Sequence, residues 1–453
     1  METNDFIVKR IPPQFRPFVV IAAGVILQFT YGIVYTFGNI LPYLVSYLRW
    51  KVNPDQTNGS MIWLQSFMSG IPFSMLLGGY LERKLGARTG ALIGSAIYTG
   101  SIGLSYYSIQ TSYILLLLTF GMMASFGQGI AYNCVLIQAQ KWLPNRVGLV
   151  SGFIAAGFGC GAFLISPIQT KFINPDNYHV DSDGFFTQVD LLERVPYLFL
   201  VLSTLFGVLQ IVGLFFIADP VPEDESDVSE DLFLIENSEE TITIGEVLSS
   251  STFRILFLTL YLNAAWVQII SGLFKAYGMK FIKDDFFLAT VASFAAATNC
   301  FSRIAWGAVM DKTSYQSSMV TACAVGSSLM WTLGIVRQWN EPNIYFLWIC
   351  GMFSIIGATY TLVPSAVHKC FGGKNFGLTY GVIQLSLTLS GITSALCSQF
   401  LLPRLGYETM FLIFGFALSA SFVLTCFIQK TKYGKPTTSR TSTIESFVNP
   451  HFE

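Results

Sequence analysis

Twelve stretches of this chain are apolar over roughly the 20 residues a helix needs to cross a bilayer, and they dictate most of what it can fold into. They run at 18–48, 60–81, 90–108, 113–140, 148–172, 196–218, 254–282, 286–310, 318–337, 344–367, 376–400 and 409–428. In hydrocarbon a backbone amide finds no water, so each run has to satisfy its own amides as a helix. Of the 453 residues, 52% are hydrophobic and 12% charged, against about 25% charged in soluble domains. The expected fold class is an all-α membrane protein with twelve transmembrane helices. Met1 to Pro17 shows no cleavable-signal pattern, so the first run is expected to remain a span.

An even number of spans puts both termini on one side, and the lysine and arginine bias says which. Sixteen basic residues fall on the terminal side, among them Lys9, Arg83, Arg146, Lys312 and Lys374, and eight on the other. Both termini are therefore expected in the cytoplasm, in a plasma or endolysosomal membrane. Asp219 to Ser251 holds eleven acidic residues and no basic one; low hydrophobicity with unbalanced charge reads as a linker. The expected organisation is a cytoplasmic segment 1–17, a six-helix half 18–218, an acidic linker 219–253, a second six-helix half 254–428 and a cytoplasmic tail 429–453. Inside the linker, Glu230-Asp-Leu-Phe-Leu-Ile235 fits the acidic-dileucine pattern read by sorting adaptors, a match short enough to arise by chance. Asn58-Gly-Ser60 is a glycosylation sequon that abuts the second span too closely for modification.

Several function classes drop out. A formal net charge of -1 argues against nucleic acid. The eight cysteines show no CxxC spacing, and His179, His368 and His451 lie far apart, so no metal set is expected. No nucleophile or carboxylate cluster sits at membrane depth, and Gly372-Gly-Lys-Asn375 lacks the spacing of a phosphate loop. Neither an enzyme nor a cofactor is expected.

One residue breaks the apolar rule conspicuously. Arg303 stands in the middle of the uncharged run 286–310, where a permanent cation costs at least about 2.5 kcal/mol. Such a residue faces water, protein or an anion. A structural arginine bonded to helix carbonyls is the alternative to a functional one. Helical spacing gathers polar and aromatic companions: Gln28, Tyr31, Tyr35 and Asn39 on one face of span one, Gln128 with Tyr132, Asn263 with Trp266, Asn299 with Arg303, and Tyr380 with Gln384, with Tyr360 in span ten. Their rings and hydroxyls can close around a small anion, and equally can serve as interhelical glue. Lys275, near the far end of span seven, is expected to snorkel to the interface, with a second positive charge for the substrate as the alternative, and His368 to be interfacial. No Asp or Glu lies inside any run, which disfavours proton coupling through a membrane carboxylate. The glycines of span five, Gly148, Gly152, Gly157, Gly159 and Gly161, suit close helix packing.

Two pairs of loops repeat at a distance of six spans. Gly79-Tyr-Leu-Glu-Arg-Lys-Leu-Gly86 is matched by Gly307-Ala-Val-Met-Asp-Lys312, and Lys141-Trp-Leu-Pro-Asn-Arg-Val-Gly148 by Lys369-Cys-Phe-Gly-Gly-Lys-Asn-Phe-Gly377, as duplicated halves require. At these loops the chain resembles the major facilitator superfamily over nearly all of 18–428. It is most similar to the oxalate/formate antiporter family and, more distantly, to monocarboxylate transporters. Gly127-Gln-Gly129-Ile-Ala-Tyr132, the Lys141 to Gly152 segment and Ala156-Gly-Phe-Gly159 look like the family's span-four to span-five signature. Asn299 to Lys312 looks like its span-eight signature, and Phe376 to Gly381 like its span-eleven entry.

The resemblance implies two six-helix halves rocking about a central site lined by spans one, four, seven and ten, with two, five, eight and eleven, and with Arg303 as the anion's docking point. It also makes Tyr31, Tyr35 and Tyr132 match family positions. Two departures stand out. Arg83 replaces the usual acidic residue after span two, with Glu82 one position earlier, so that loop's closing contact is expected to be rearranged. Leu387 stands about where the oxalate exchanger carries a second cation, which implies a substrate with one carboxylate. Asn299 takes the place of the aspartate of proton-coupled monocarboxylate transporters, favouring exchange or facilitated passage by a monomer. A proton-coupled nutrient carrier and a non-transporting receptor or scaffold are the alternatives.

Overall fold

The computed structural model describes residues 2–69, 72–143, 147–221, 243–371 and 373–428. Among the described residues the chain forms twelve long helical segments in the expected order, beside short helices at Val8–Arg10 and Ile244–Ser249. They are α1 Arg16–Lys51, α2 in two pieces (Ile62–Met68 and Pro72–Leu85), α3 Ala87–Thr111, α4 Tyr113–Trp142, α5 Val147–Ile173 and α6 Val189–Phe216. The second set is α7 Ser251–Gly278, α8 Asp285–Lys312, α9 Tyr315–Trp339, α10 Pro342–Phe371, α11 Gly373–Phe400 and α12 Leu402–Cys426. The Glu230–Ile235 motif and the tail 429–453 lie outside the described residues.

By length and composition alone, nine of the described segments are apolar enough to cross a membrane, leaving α2, α3 and α8 short of that mark. The reason is local in each. The pieces of α2 are short; α8 carries Asp285, Arg303, Asp311 and Lys312. α3 is rich in serine, whose hydroxyls return to the helix itself: Ser101 Oγ donates to Tyr98 O at 2.7 Å and Ser105 Oγ to Ser101 O at 2.8 Å, which keeps a polar helix at no cost in unpaired groups.

Within the first half α1 packs on α5 and α6, and α3 on α4 and α6; within the second, α7 packs on α11 and α12, and α8 on α10. The halves meet where α5 lies along α8, α2 along α11 and α1 along α7. Large apolar side chains such as Tyr107, Phe301 and Phe416 are about two-thirds exposed. In water such a surface would drive association; around a helical bundle of this kind it is what lipid covers.

Small residues set the closest crossing. α1 tightens into a 3₁₀ turn over Gly32–Thr36, and there Gly32 faces Gly161 of α5. A Cβ on Gly32 would strike the Phe158 carbonyl, and one on Gly161 the Phe29 carbonyl. Gly152 has nothing within 4 Å of where its Cβ would stand, so the glycines of α5 do not share one purpose. Helix starts are capped by side chains, Ser250 for α7, Asp284 for α8 and Ser314 for α9, each accepting an otherwise orphaned amide.

At the end that carries the termini, ion pairs tie α2, α4 and the end of α6 together. Glu82 is buried and ion-paired with Lys141 of α4, whose Nζ also lies 3.4 Å from Asp219. Ala218 O accepts from Gln138 Nε2 at 2.5 Å and from Trp142 Nε1 at 2.6 Å. The residues before α1 are tied to the same place, Arg88 pairing with Asp5 at 2.6 Å and Thr3 Oγ1 donating to Asp219 O at 2.8 Å.

Candidate functional site

Arg303 projects from α8 towards the seam between the halves. Its Nη2 donates to Tyr35 Oη of α1 at 2.6 Å, and its Nε faces Asn299 Oδ1, one turn back, at 3.5 Å. The guanidinium carbon stands 5.8 Å from the centre of the Tyr35 ring and 5.7 Å from that of Tyr360, within cation–π range. Tyr132 of α4 and Tyr380 of α11 are close enough to feel its charge. Helix carbonyls therefore do not account for this cation: among the described residues its bonds go to side chains. Among the described residues no carboxylate is paired with it. The side chain is half-exposed.

A ring that sequence reasoning did not single out completes the wall. Phe158 of α5 meets Tyr35 edge-on with centroids 5.6 Å apart and Tyr132 edge-on at 5.9 Å, fixing both tyrosines. It stands between Gly157 and Gly159, whose lack of side chains lets α5 come close to Val25 and Cys300. Nothing polar marks a phenylalanine as part of a site; only the flanking glycines hinted at a close approach.

Four companions of Arg303 are thus brought together: Tyr35, Asn299 and Tyr360 in contact, with Tyr132 beyond. Tyr380 is half-exposed and near. Gln128 and Gln384 are half-exposed on α4 and α11 and make no recorded hydrogen bond among the described residues. Others are placed elsewhere. Tyr31 is fully buried, shares a 2.7 Å hydrogen bond with Ser95 of α3 and lies edge-on to Tyr98 at 5.0 Å, so it packs α1 on α3 within one half. Gln28 is buried at the α1–α4 seam, its Nε2 3.4 Å from Tyr132 O. Trp266 is fully buried in α7. Asn39 binds Ser166 O at 3.0 Å, and Asn263 turns inward to Thr359 at 3.4 Å.

The expectation for Lys275 is overturned. The residue does not reach an interface: it is fully buried, ion-paired at 2.8 Å with Asp285, itself 3% exposed. A buried ammonium needs a buried partner, and the first residue of α8 supplies it. Asp285 lies one position before the apolar run 286–310, so counting carboxylates inside runs missed it. The sequon asparagine is occupied too, Asn58 Nδ2 donating to Tyr407 Oη at 2.9 Å.

Comparison with known proteins agrees with this architecture. The family model described as Major Facilitator Superfamily matches residues 20–337. The apicoplast pyruvate carrier 1 of Toxoplasma gondii is 26% identical, with 86% of this chain and 85% of that protein covered. The oxalate:formate antiporter of Oxalobacter formigenes is 22% identical, with 78% of each covered. Among solved structures a D-xylose-proton symporter superposes with a TM-score of 0.69 at 13% identity, covering 93% of this chain and 99% of that one; at that identity the likeness concerns the fold. A multi-pass membrane transporter rather than an enzyme, the chain belongs to the Major Facilitator Superfamily.

Proposed function

We propose that this transporter carries a small organic anion with a single carboxylate by alternating access, and that exchange is its favoured mode. The observation that carries the reading is Arg303: a cation at the seam of the two halves, walled by Tyr35, Tyr132 and Tyr360 and paired with no carboxylate among the described residues. Charge in such a site is only weakly screened, and a guanidinium fork matches a carboxylate in two hydrogen bonds. The names of its relatives, a pyruvate carrier, an oxalate:formate antiporter and a monocarboxylate transporter, support the same substrate class. Neutralising Arg303 by substrate lets the halves close over it, so the empty carrier recloses slowly and swaps one anion for another. Both termini lie in the cytoplasm in this proposal, and the carrier acts as a monomer.

Uptake by the Arg303→Gln variant in liposomes tests the assignment. The expected result is loss of counterflow with normal insertion; wild-type rates overturn it. A proton-linked cycle is the second reading. An inward proton gradient that drives accumulation of labelled substrate would promote it over exchange.

A further inference from the structure

The hydrogen bonds that join the halves among the described residues lie from mid-helix to the end opposite the termini, and their densest knot surrounds Lys275 and Asp285. Both residues belong to the second half, on α7 and α8, so they would remain paired if the halves parted. Most of their other partners belong to the first half. Around Lys275 Nζ stand Asn39 Oδ1 at 2.9 Å and Tyr43 Oη at 3.1 Å, both from α1, with Nζ 4.6 Å above the Tyr43 ring. Asp285 Oδ2 accepts from Tyr43 Oη and, at 2.7 Å, from Asn174 Nδ2 at the end of α5.

The helix start is held across the seam as well. Asn177, in the left-handed conformation at φ 55 that asparagine tolerates, places its Oδ1 3.0 Å from the amide of Asp285 and 3.3 Å from that of Phe286. Its Nδ2 donates to Asp284 Oδ1 at 3.2 Å. Amides in the first turn of a helix have no partner within it, so the first half supplies the cap of a helix in the second. A cavity of about 430 Å³ lies directly outside, lined by Asp285, Lys280, Lys283, His179 and Arg337 among others. Water would reach the knot from that cavity once the seam loosens.

We infer that Asn39, Tyr43, Asn174 and Asn177 form a polar latch on the buried Lys275–Asp285 pair and on the start of α8. It holds the halves together at the end opposite the termini, and it has to release before that end can open. A pair needed only for the stability of its own half would be satisfied within that half. Here each charge is completed by hydrogen bonds that domain separation breaks, and each break has to be made good by water entering the seam. The latch does not depend on Arg303 or on the nature of the substrate.

The test reads opening without substrate. Ser271 of α7 is 8% exposed behind the latch and receives Gln65 Nε2 at 2.7 Å across the seam. In the full chain carrying Ser271→Cys, reconstituted in lipid nanodiscs, reaction of a hydrophilic maleimide is measured in excess of the same chain without that cysteine. Tyr43→Phe removes the hydroxyl shared by both charges, and Asn177→Gly removes the cross-seam cap while keeping the backbone conformation. Lys275→Met with Asp285→Asn removes the charged centre as a unit. Each is expected to speed labelling about tenfold or more, the factor one lost hydrogen bond to a charged group gives. Tyr113→Phe is the control, since its hydroxyl donates to Ser60 O inside the first half, and it should leave the rate unchanged. Rates within twofold of the parent in Asn177→Gly and the double variant, or an equal rise in the control, overturn the latch. Loss of transport in Arg303→Gln with normal labelling would leave it standing.

Discussion

The Tyr35 hydroxyl is where the proposed site makes its sharpest quantitative claim. Its oxygen accepts from Arg303 Nη2 at 2.6 Å, which leaves its own proton free to donate to a carboxylate docked on the guanidinium. Tyr35→Phe removes that donor while the ring keeps its edge-on contact with Phe158. A hydrogen bond involving a charged group contributes roughly 1.5–3 kcal/mol. Both side chains are half-exposed, so water replaces part of the loss and the lower end applies. At 1.4 kcal/mol per factor of ten, the concentration for half-maximal counterflow should rise about tenfold, with little change in maximal rate. The assay is counterflow of a labelled small monocarboxylate such as pyruvate in liposomes holding equal amounts of inserted protein. Half-saturation within twofold of wild type would mean that the hydroxyl only positions Arg303, and the proposed docking geometry would be wrong.

Other perturbations have equally definite outcomes. Asp285→Asn alone leaves Lys275 as a bare buried cation and should cost about 3–5 kcal/mol, seen as a lower unfolding temperature in detergent, whereas adding Lys275→Met should recover most of it. Gly32→Ala should abolish well-folded protein because its methyl meets the Phe158 carbonyl, while Gly152→Ala, in open space, should leave yield and elution profile unchanged. Burial works against the charge of Asp5, but the Val8 amide and the Arg88 guanidinium outweigh it and hold the carboxyl below its usual range. That contribution is present above the unfolded carboxyl's value and is lost as pH falls through the folded one. The segment before α1 should therefore loosen below about pH 4, read as faster hydrogen exchange at residues 2–10.

Helix number and order were legible because hydrocarbon enforces them: every apolar run became a helix, and even α8, with its charges, kept its place. Arg303 was legible for the same reason, since a fixed cation in such a run has few tolerable environments. What escaped were features set by packing across the seam. Tyr31 and Tyr35 share a face of α1 by spacing, yet the 3₁₀ turn starting at Gly32 intervenes between them, and the two end on different partners, Ser95 and Arg303. Phe158 carries no polar atom to advertise its position between two tyrosines. Lys275 looked like a snorkelling residue because its partner belongs to the next helix, at the edge of an apolar run.

The two cations at the seam invite opposite readings from similar sequence contexts, and their partners decide between them. Lys275 has a carboxylate at 2.8 Å, so an incoming anion would have to displace Asp285 into a site with no other compensation; that ammonium is spent on structure. Among the described residues Arg303 is met by phenol and amide dipoles, which stabilise a charge without cancelling it. In the proposed site, one positive charge with no carboxylate beside it among the described residues would suit one carboxylate, and Leu387, half-buried on α11, brings no second cation to meet another. Under the proposed function a dianion would carry an unmatched charge into the closed state, where desolvation is most costly. The same electrostatics explains why the charged knot sits at the rim and the open cation deeper in. A neutral pair tolerates burial when that end is shut, whereas a lone guanidinium tolerates closure only with an anion beside it.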